Sequence, residues 1–359
     1  MKIPIGILGA TGTVGQRFIQ LLENHPWFQV VCVAASPRSA GKLYSEAVKD
    51  RWVVESAIPG RIGNLKVFDV EAEQKEIAEQ TAFTFSAISL DKAKVREIEN
   101  SYAETGIPII SCNSAHRWTE DVPMIMPEIN PQHVDLITIQ KKNRSWEKGF
   151  IVVKPNCSIQ SYVPVIEALK SFIPEKVIVS TYQAISGAGK TFETFPEISD
   201  NIIPFIKGEE RKSEDEPMKI WGKIIDGKLE IAKKPKISSN CVRVPVSDGH
   251  LAAVNISFEI KPSREQFIEA IANFENPISG LELPSAPEPF LEYFEQEDRP
   301  QTALDRMLGN GMGIAVGRLR EDTVLDWKFI ALSHNTLRGA AGGAILIGEL
   351  LMKKGFIQE

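Results

Sequence analysis

Apolar and polar positions alternate along this chain with two different rhythms. At the amino end, Ile3-Pro4-Ile5-Gly6-Ile7-Leu8 reads as a short buried strand. A glycine-rich turn follows, Gly9-Ala10-Thr11-Gly12-Thr13-Val14-Gly15, and then an amphipathic helix with Phe18, Leu21 and Leu22 on one face. Residues 30–35 form a second apolar run, so the chain opens with a βαβ unit. The alternation continues through a strand at 83–88, a helix at 91–105 and a strand at 107–111. A connecting helix with a basic loop follows at 131–148, then a strand at 150–153. Beyond Cys157 the rhythm changes. Residues 163–170 have helical spacing and 176–184 are a long β-rich run, whereas 195–219 are a polar, charged excursion that reads as a solvated lid or interface loop. Residues 241–246 and 250–258 read as paired strands about a Ser247-Asp248-Gly249 turn. A helix at 263–274, strands at 313–317 and 324–332, and a last helix at 339–354 complete the pattern. Alternating strands and helices followed by consecutive strands predict an α/β fold: a Rossmann-type domain plus an α+β domain with a mixed sheet.

Length supports that division, since 359 residues exceed one typical core. A net charge of −6 with mixed signs argues against nucleic acid or an anionic membrane as the main partner. The apolar run 340–352 is broken by Glu349 and glycines, so no membrane span is expected. Cys32, Cys112, Cys157 and Cys241 form no C-x-x-C pair, so neither a zinc site nor a redox dithiol is expected. The strand beginning at once after Met1 carries no signal-peptide pattern, and a cytoplasmic location is the expectation.

The glycine spacing, G-x-x-G-x-x-G, differs from the commoner G-x-G-x-x-G. Between a strand and a helix it still suits a pyrophosphate, because the backbone can approach closely and the helix amino terminus offers N–H donors. An acid at the end of the second strand would select NAD; this chain has Ser36-Pro37-Arg38-Ser39-Ala40-Gly41-Lys42, a phosphate clamp that favours NADP. The small polar strand ends near Ser86, Ala87 and Asn113 lie where open parallel sheets build ligand sites. In Lys154-Pro155-Asn156-Cys157-Ser158-Ile159-Gln160, Cys157 occupies a strand-to-helix turn. It reads either as a small buried residue or as a nucleophile whose pKa the helix amino terminus lowers. A hairpin turning at residues 247–249 would bring Arg243 and His250 together, as a carboxylate clamp and a proton shuttle. A thiolate, a histidine and a nicotinamide site together predict thioester chemistry coupled to hydride transfer.

These residues resemble those of the aspartate-semialdehyde dehydrogenase family, in its archaeal and fungal-like branch. The resemblance rests on residues 9–15, 36–41, 155–157, 183–189 and 243–250, and on Ser333-His334-Asn335-Thr336-Leu337-Arg338-Gly339 with the small residues after it. It implies NADPH-dependent reductive dephosphorylation of L-aspartyl 4-phosphate to L-aspartate 4-semialdehyde, without a metal. Cys157 would be the nucleophile, His250 the acid/base, and Gln183 the residue that orients the acyl intermediate. Arg243 would hold the substrate carboxylate and Glu216 its ammonium group. Arg117, Lys219 and Asn113 would meet the phosphate, with Asn156 also at the substrate. Glu209-Glu210 and Lys212 compete for the places given to Glu216 and Lys219. The cofactor group would be Gly9, Thr11, Gly12, Thr13, Val14, Ser36, Arg38, Ser39, Ser86, Ala87, Ser186, Gly187 and Asn335. Residues 1–156, completed by 335–359, would form the NADP domain, and 157–334 the catalytic and dimerisation domain of a homodimer or homotetramer. Malonyl-CoA reductase resembles the same branch and is the competing activity.

Overall fold

The computed structural model describes residues 2–358; Met1 and Glu359, the outer ends of the expected domain ranges, lie outside the described residues. Six short strands, β1 (Ile3–Leu8), β2 (Phe28–Ala35), β3 (Val67–Asp69), β4 (Phe83–Ser86), β5 (Ile109–Ser111) and β6 (Ile151–Val153), form one sheet in the order β3-β2-β1-β4-β5-β6. Every pairing in it is parallel. Strands of a parallel sheet are covered by helices on both faces, which explains why they read as continuous apolar runs. The helix Thr13–Leu22 covers one face, with Phe18 stacked on Phe85 at a centroid distance of 4.7 Å. Helix Lys92–Glu104 starts at Asp91, whose carboxylate accepts from the N–H groups of Ala93 and Lys94, a cap worth about 1 kcal/mol. The last helix, Gly342–Lys353, is apolar almost all round and buried nearly throughout. Its Gly348 lies against Ile110, Phe85 and Phe28 of the first sheet. A π-helical turn, Leu337–Ala341, precedes it, so the α-helix begins later than the small-residue run suggests.

The second sheet is mixed. β7 (Pro174–Gln183), β10 (Lys236–Arg243), β11 (His250–Phe258), β12 (Leu291–Phe294), β13 (Ile314–Glu321) and β14 (Trp327–Ser333) stand in the order β10-β7-β11-β14-β13-β12, while β8 (Lys223–Ile225) and β9 (Lys228–Glu230) form a separate hairpin. The expected hairpin of β10 with β11 does not form. β7 lies between them, parallel to β10 and antiparallel to β11. A hairpin does join β13 and β14, with Val324 80% exposed in the connection rather than in a strand.

The charged excursion is also corrected. Its second half is a helix, Glu209–Ile220, entered through Gly208 at φ +73°. Two acids in its first turn and Lys219 in its last suit the helix dipole. Its buried residues include Glu209, Ser213, Glu216 and Lys219, so the face turned inward is polar, and this helix packs against β10 and the turn after Cys157. Among the described residues no helix is long and apolar enough to cross a membrane.

Candidate active site

Two sheet ends meet at Cys157. β6 stops at Val153, and Lys154 N–H donates to Ser111 O at 2.8 Å, extending the strand by one bond. The Asn156 carboxamide then makes the corner: Oδ1 accepts from Ser158 N–H at 2.7 Å and from the Ser158 hydroxyl at 2.6 Å. Cys157 opens a 3₁₀ turn, Ser158–Gln160, and the α-helix Val163–Ala168 begins only after it. Gly339 packs on the Cys157 turn so closely that a Cβ there would stand 2.7 Å from the Cys157 Cβ.

The second sheet supplies the partners. His250 is the first residue of β11 and wholly buried; its Nε2 lies 3.5 Å from Cys157 Sγ. Its Nδ1 accepts the Ala184 N–H at 3.1 Å, so the ring proton of the neutral imidazole belongs on Nε2, facing sulfur. Gln183 ends β7 and Arg243 ends β10 in parallel register beside it. Arg243 Nη1 donates to Ala184 O at 2.6 Å. Gly187 sits over this group, where a Cβ would stand 3.1 Å from both Arg243 Nη1 and His250 Nε2. Arg243 and His250 therefore converge without the expected hairpin, because β10 ends and β11 begins at the same edge of the sheet.

Electrostatics correct the expected thiolate. Burial, then the Glu209 carboxylate, push the Cys157 thiol up to about 11, against the smaller opposing pull of Lys154, Arg117 and Lys212. The turn after Cys157 is too short to supply a full helix dipole. Burial, with Arg243 and His334 adding to it, lowers His250 to about 3. The resting pair is a neutral thiol beside a neutral imidazole.

The helix Glu209–Ile220 fills the substrate side. Glu209 accepts from Asn156 Nδ2 at 3.2 Å, from Gln183 Nε2 at 3.4 Å and from Lys212 Nζ at 2.5 Å. Glu216 accepts from Arg117 Nη1 at 2.9 Å and from Asn156 N–H at 2.7 Å. Arg117 also donates to Lys154 O at 3.0 Å and Cys112 O at 3.2 Å. Lys219 Nζ donates to the carbonyls of Arg117, Thr119 and Val122 at 2.6, 3.3 and 3.0 Å, which uses all three of its protons. Of the competing pairs, Glu209 and Lys212 stand beside Gln183, whereas Glu216 and Lys219 brace the Arg117 segment. Asn113 Nδ2 points to Ser86 Oγ at 3.2 Å.

The dinucleotide loop fits a close-approaching ligand. Gly9 has φ +81°, and a Cβ on it would strike the Ala87 carbonyl. Gly12 precedes the helix Thr13–Leu22 without any side-chain cap, leaving the first-turn N–H groups of Thr13 and Val14 open to an anion. Thr11 is held by Gln16 Nε2 on its carbonyl at 3.1 Å. At the β2 end Ser36 and Arg38 are exposed, while the buried Ser39 hydroxyl accepts from Arg51 at 2.9 Å. Arg51 was not legible as a site residue, because nothing in sequence ties it to that strand end. Asn335 Nδ2 donates to Ser186 Oγ at 2.8 Å and its Oδ1 accepts Gly249 N–H at 2.8 Å, joining three loops. Gly189 brings the 185–189 turn to within a Cβ distance of 3.5 Å of Thr13 Oγ1. Among the described residues no cluster of three or more His, Cys, Asp or Glu side chains could hold a metal ion.

Comparison with known proteins matches residues 4–137 to "Semialdehyde dehydrogenase, NAD binding domain" and residues 164–338 to "Semialdehyde dehydrogenase, dimerisation domain". Aspartate-semialdehyde dehydrogenase of Archaeoglobus fulgidus is 45% identical, over 99% of this chain and 100% of its own length. The enzyme of that name from Aspergillus fumigatus is 41% identical over 99% of each. The crystal structure of aspartate semialdehyde dehydrogenase with NADP from Candida albicans superposes with a TM-score of 0.88 at 36% identity, covering 99% of this chain and 100% of that one.

The raised thiol has a direct consequence. In the unliganded protein, alkylation of Cys157 by iodoacetamide, followed by mass spectrometry of its peptide, should rise about tenfold per pH unit to about pH 9 without a plateau. A plateau near neutral pH would show a preformed thiolate instead.

Proposed function

The chain belongs to the aspartate-semialdehyde dehydrogenase family, and from that premise we propose how its own residues carry the reaction. The enzyme converts L-aspartyl 4-phosphate to L-aspartate 4-semialdehyde with release of phosphate, reversibly, in the aspartate pathway. The observation that carries this reading is Cys157 Sγ at 3.5 Å from His250 Nε2, with Gln183, Arg243 and Glu209 around the pair. CoA-dependent reduction of malonyl-CoA is not favoured, since these relatives carry the aspartate-semialdehyde dehydrogenase name throughout.

Residues 1–156 with 335–359 are assigned to the dinucleotide and 157–334 to catalysis and dimerisation. The Gly9 cradle and the uncapped helix start fit a pyrophosphate, with Thr11, Gly12, Thr13 and Val14 around it. Ser36, Arg38 and Ser39, with Arg51 behind them, suit the 2′-phosphate of NADP. Ser86, Ala87, Ser186, Gly187 and Asn335 are assigned to the nicotinamide half. When bound, the dinucleotide supplies the hydride.

Arg243 grips the α-carboxylate of the substrate and Glu209 its ammonium group; Glu209 takes the role that sequence alone gave to Glu216. Arg117 and Lys212 receive the phosphate; Asn113, whose two amide protons go to Ser86 and Glu99, anchors the loop that carries Arg117, and Lys219 holds the Arg117 segment by its carbonyls. Because Nε2 of His250 already carries a proton, the imidazole donates towards sulfur, and the thiol proton leaves with the phosphate. Sγ attacks the acyl carbon, the carbon–oxygen bond to phosphate breaks, and a thioester forms on Cys157. Gln183, whose amide donates to Thr181 Oγ1 at 3.2 Å and Glu209 Oε2 at 3.4 Å, orients the acyl intermediate through its hold on Glu209. After reduction of the acyl carbon, the carbon–sulfur bond breaks, His250 supports the departing thiolate and the aldehyde leaves.

The outer face of the second sheet supports a homodimer, or a tetramer built from such dimers. Ile178 and Tyr182 project from β7 with 43% and 39% exposure, an apolar surface in the middle of a sheet. Four free cysteines suit a cytoplasmic setting.

Two measurements test this account. Intact-protein mass spectrometry after mixing with L-aspartyl phosphate in the absence of dinucleotide should find an aspartyl adduct on Cys157. None should form on Cys157→Ser, and that variant should retain NADPH binding but no turnover; an adduct elsewhere would refute the nucleophile. Ile178→Asp with Tyr182→Asp should halve the mass seen by analytical ultracentrifugation at micromolar protein; an unchanged mass would place the interface on another face.

A further inference from the structure

Glu99 is a fully buried acid that the reaction above does not use. It projects from the helix Lys92–Glu104 beneath the ends of β4 and β5. Its Oε1 accepts from the Ser111 hydroxyl at 2.6 Å and from Asn113 Nδ2 at 3.1 Å. Ser111 Oγ in turn accepts the Asn113 N–H at 3.1 Å, and Asn113 Nδ2 also reaches Ser86 Oγ at 3.2 Å. One carboxylate oxygen thus gathers the residues that end two strands. Oε2 has no partner; it faces His116 Nε2 at 3.9 Å, and that nitrogen is buried and unpartnered too. His116 Nδ1 is occupied by Thr119 Oγ1 at 3.1 Å. The separation is too long for a hydrogen bond. Burial raises Glu99 and lowers His116 to about 4. A buried acid left half-satisfied is costly, and its hold on Asn113, at the start of the loop that carries Arg117, points to a role in the site.

We propose that Glu99 is a positioning residue for phosphate: through Ser111 and Asn113 its Oε1 holds the start of the 112–117 loop from which Arg117 reaches the substrate. The inference rests on the assignment of Arg117 to phosphate. What Glu99 supplies at that point is an acceptor oxygen. A glutamine would accept the same two hydrogen bonds and could offer its amide to His116 Nε2.

The test uses the full-length enzyme in the oxidative direction, with inorganic phosphate as the varied substrate, and hydrogen exchange of the 112–117 amides. Glu99→Ala should raise KM for phosphate about tenfold with kcat within about threefold, and should speed exchange in that loop. Glu99→Gln should restore both readouts to near wild type. Ser111→Ala, a smaller change that keeps the fold if Glu99→Ala does not, should raise the phosphate KM in the same direction. Unchanged loop exchange and phosphate KM in Glu99→Ala, or a Glu99→Gln variant as impaired as Glu99→Ala, would overturn the proposal. Arg117→Ala is measured alongside. If it leaves the phosphate KM unchanged, the phosphate assignment falls and takes this proposal's functional claim with it, whereas the exchange data still report whether Glu99 braces the loop.

Discussion

One hydrogen bond fixes the chemistry of the site: Ala184 N–H to His250 Nδ1, at 3.1 Å. Ala184 follows β7 directly and His250 opens β11, and these strands run antiparallel with Leu251 opposite Tyr182. The bond is therefore an extension of the sheet, made by backbone on one side and imidazole on the other. It removes Nδ1 as a proton carrier and leaves Nε2–H aimed at sulfur. Gln183, one residue earlier, and Arg243, its neighbour in register, reach the same edge by the same geometry. Cys157 arrives from the other sheet, at the end of β6. Neither sheet alone contains the site.

The second constraint is a polar helix face turned inward. A helix that buries Glu209, Ser213, Glu216 and Lys219 pays desolvation for each charge and needs partners for each one. It finds them in Asn156, Gln183, Lys212, Arg117 and the carbonyls around Thr119. Glu209 costs something further: its carboxylate disfavours the Cys157 thiolate in the resting enzyme. An ammonium group placed on Glu209 by the substrate would offset that penalty, coupling substrate binding to nucleophile activation.

Sequence was most informative where burial is apolar. The βαβ start and the strands at 83–86, 109–111 and 151–153 are continuous hydrophobic stretches and stand where the pattern put them, as does the β-rich β7 run, whereas the short β3 was not legible. The Cys157 turn was legible because a strand end and a proline bracket it. The hairpin of β10 and β11 was misread because strands adjacent in sequence usually pair, and nothing local reports that β7 will come between them. The helix Glu209–Ile220 read as a loop because its buried stripe is charged, so the usual hydrophobic signal is inverted. The same absence of signal left Glu209 and Glu216 unresolved: both lie on that stripe, and only the position of Gln183 separates them. Of the two readings of Cys157, the lowered thiol failed because it credited a short turn with a helix dipole, whereas the buried reading matches the effect that dominates. Arg51 and Glu99 act through long-range contacts that no spacing reveals.

The central claim is that His250 meets Cys157 as a proton donor, with its tautomer set by Ala184. Nitrogen NMR of the protein labelled at histidine, with His250→Asn to assign the signal, tests it directly. The account predicts an unprotonated Nδ1 and a protonated Nε2 throughout about pH 6 to pH 9, without titration. A proton on Nδ1, or a His250 signal that titrates near neutrality, would contradict it.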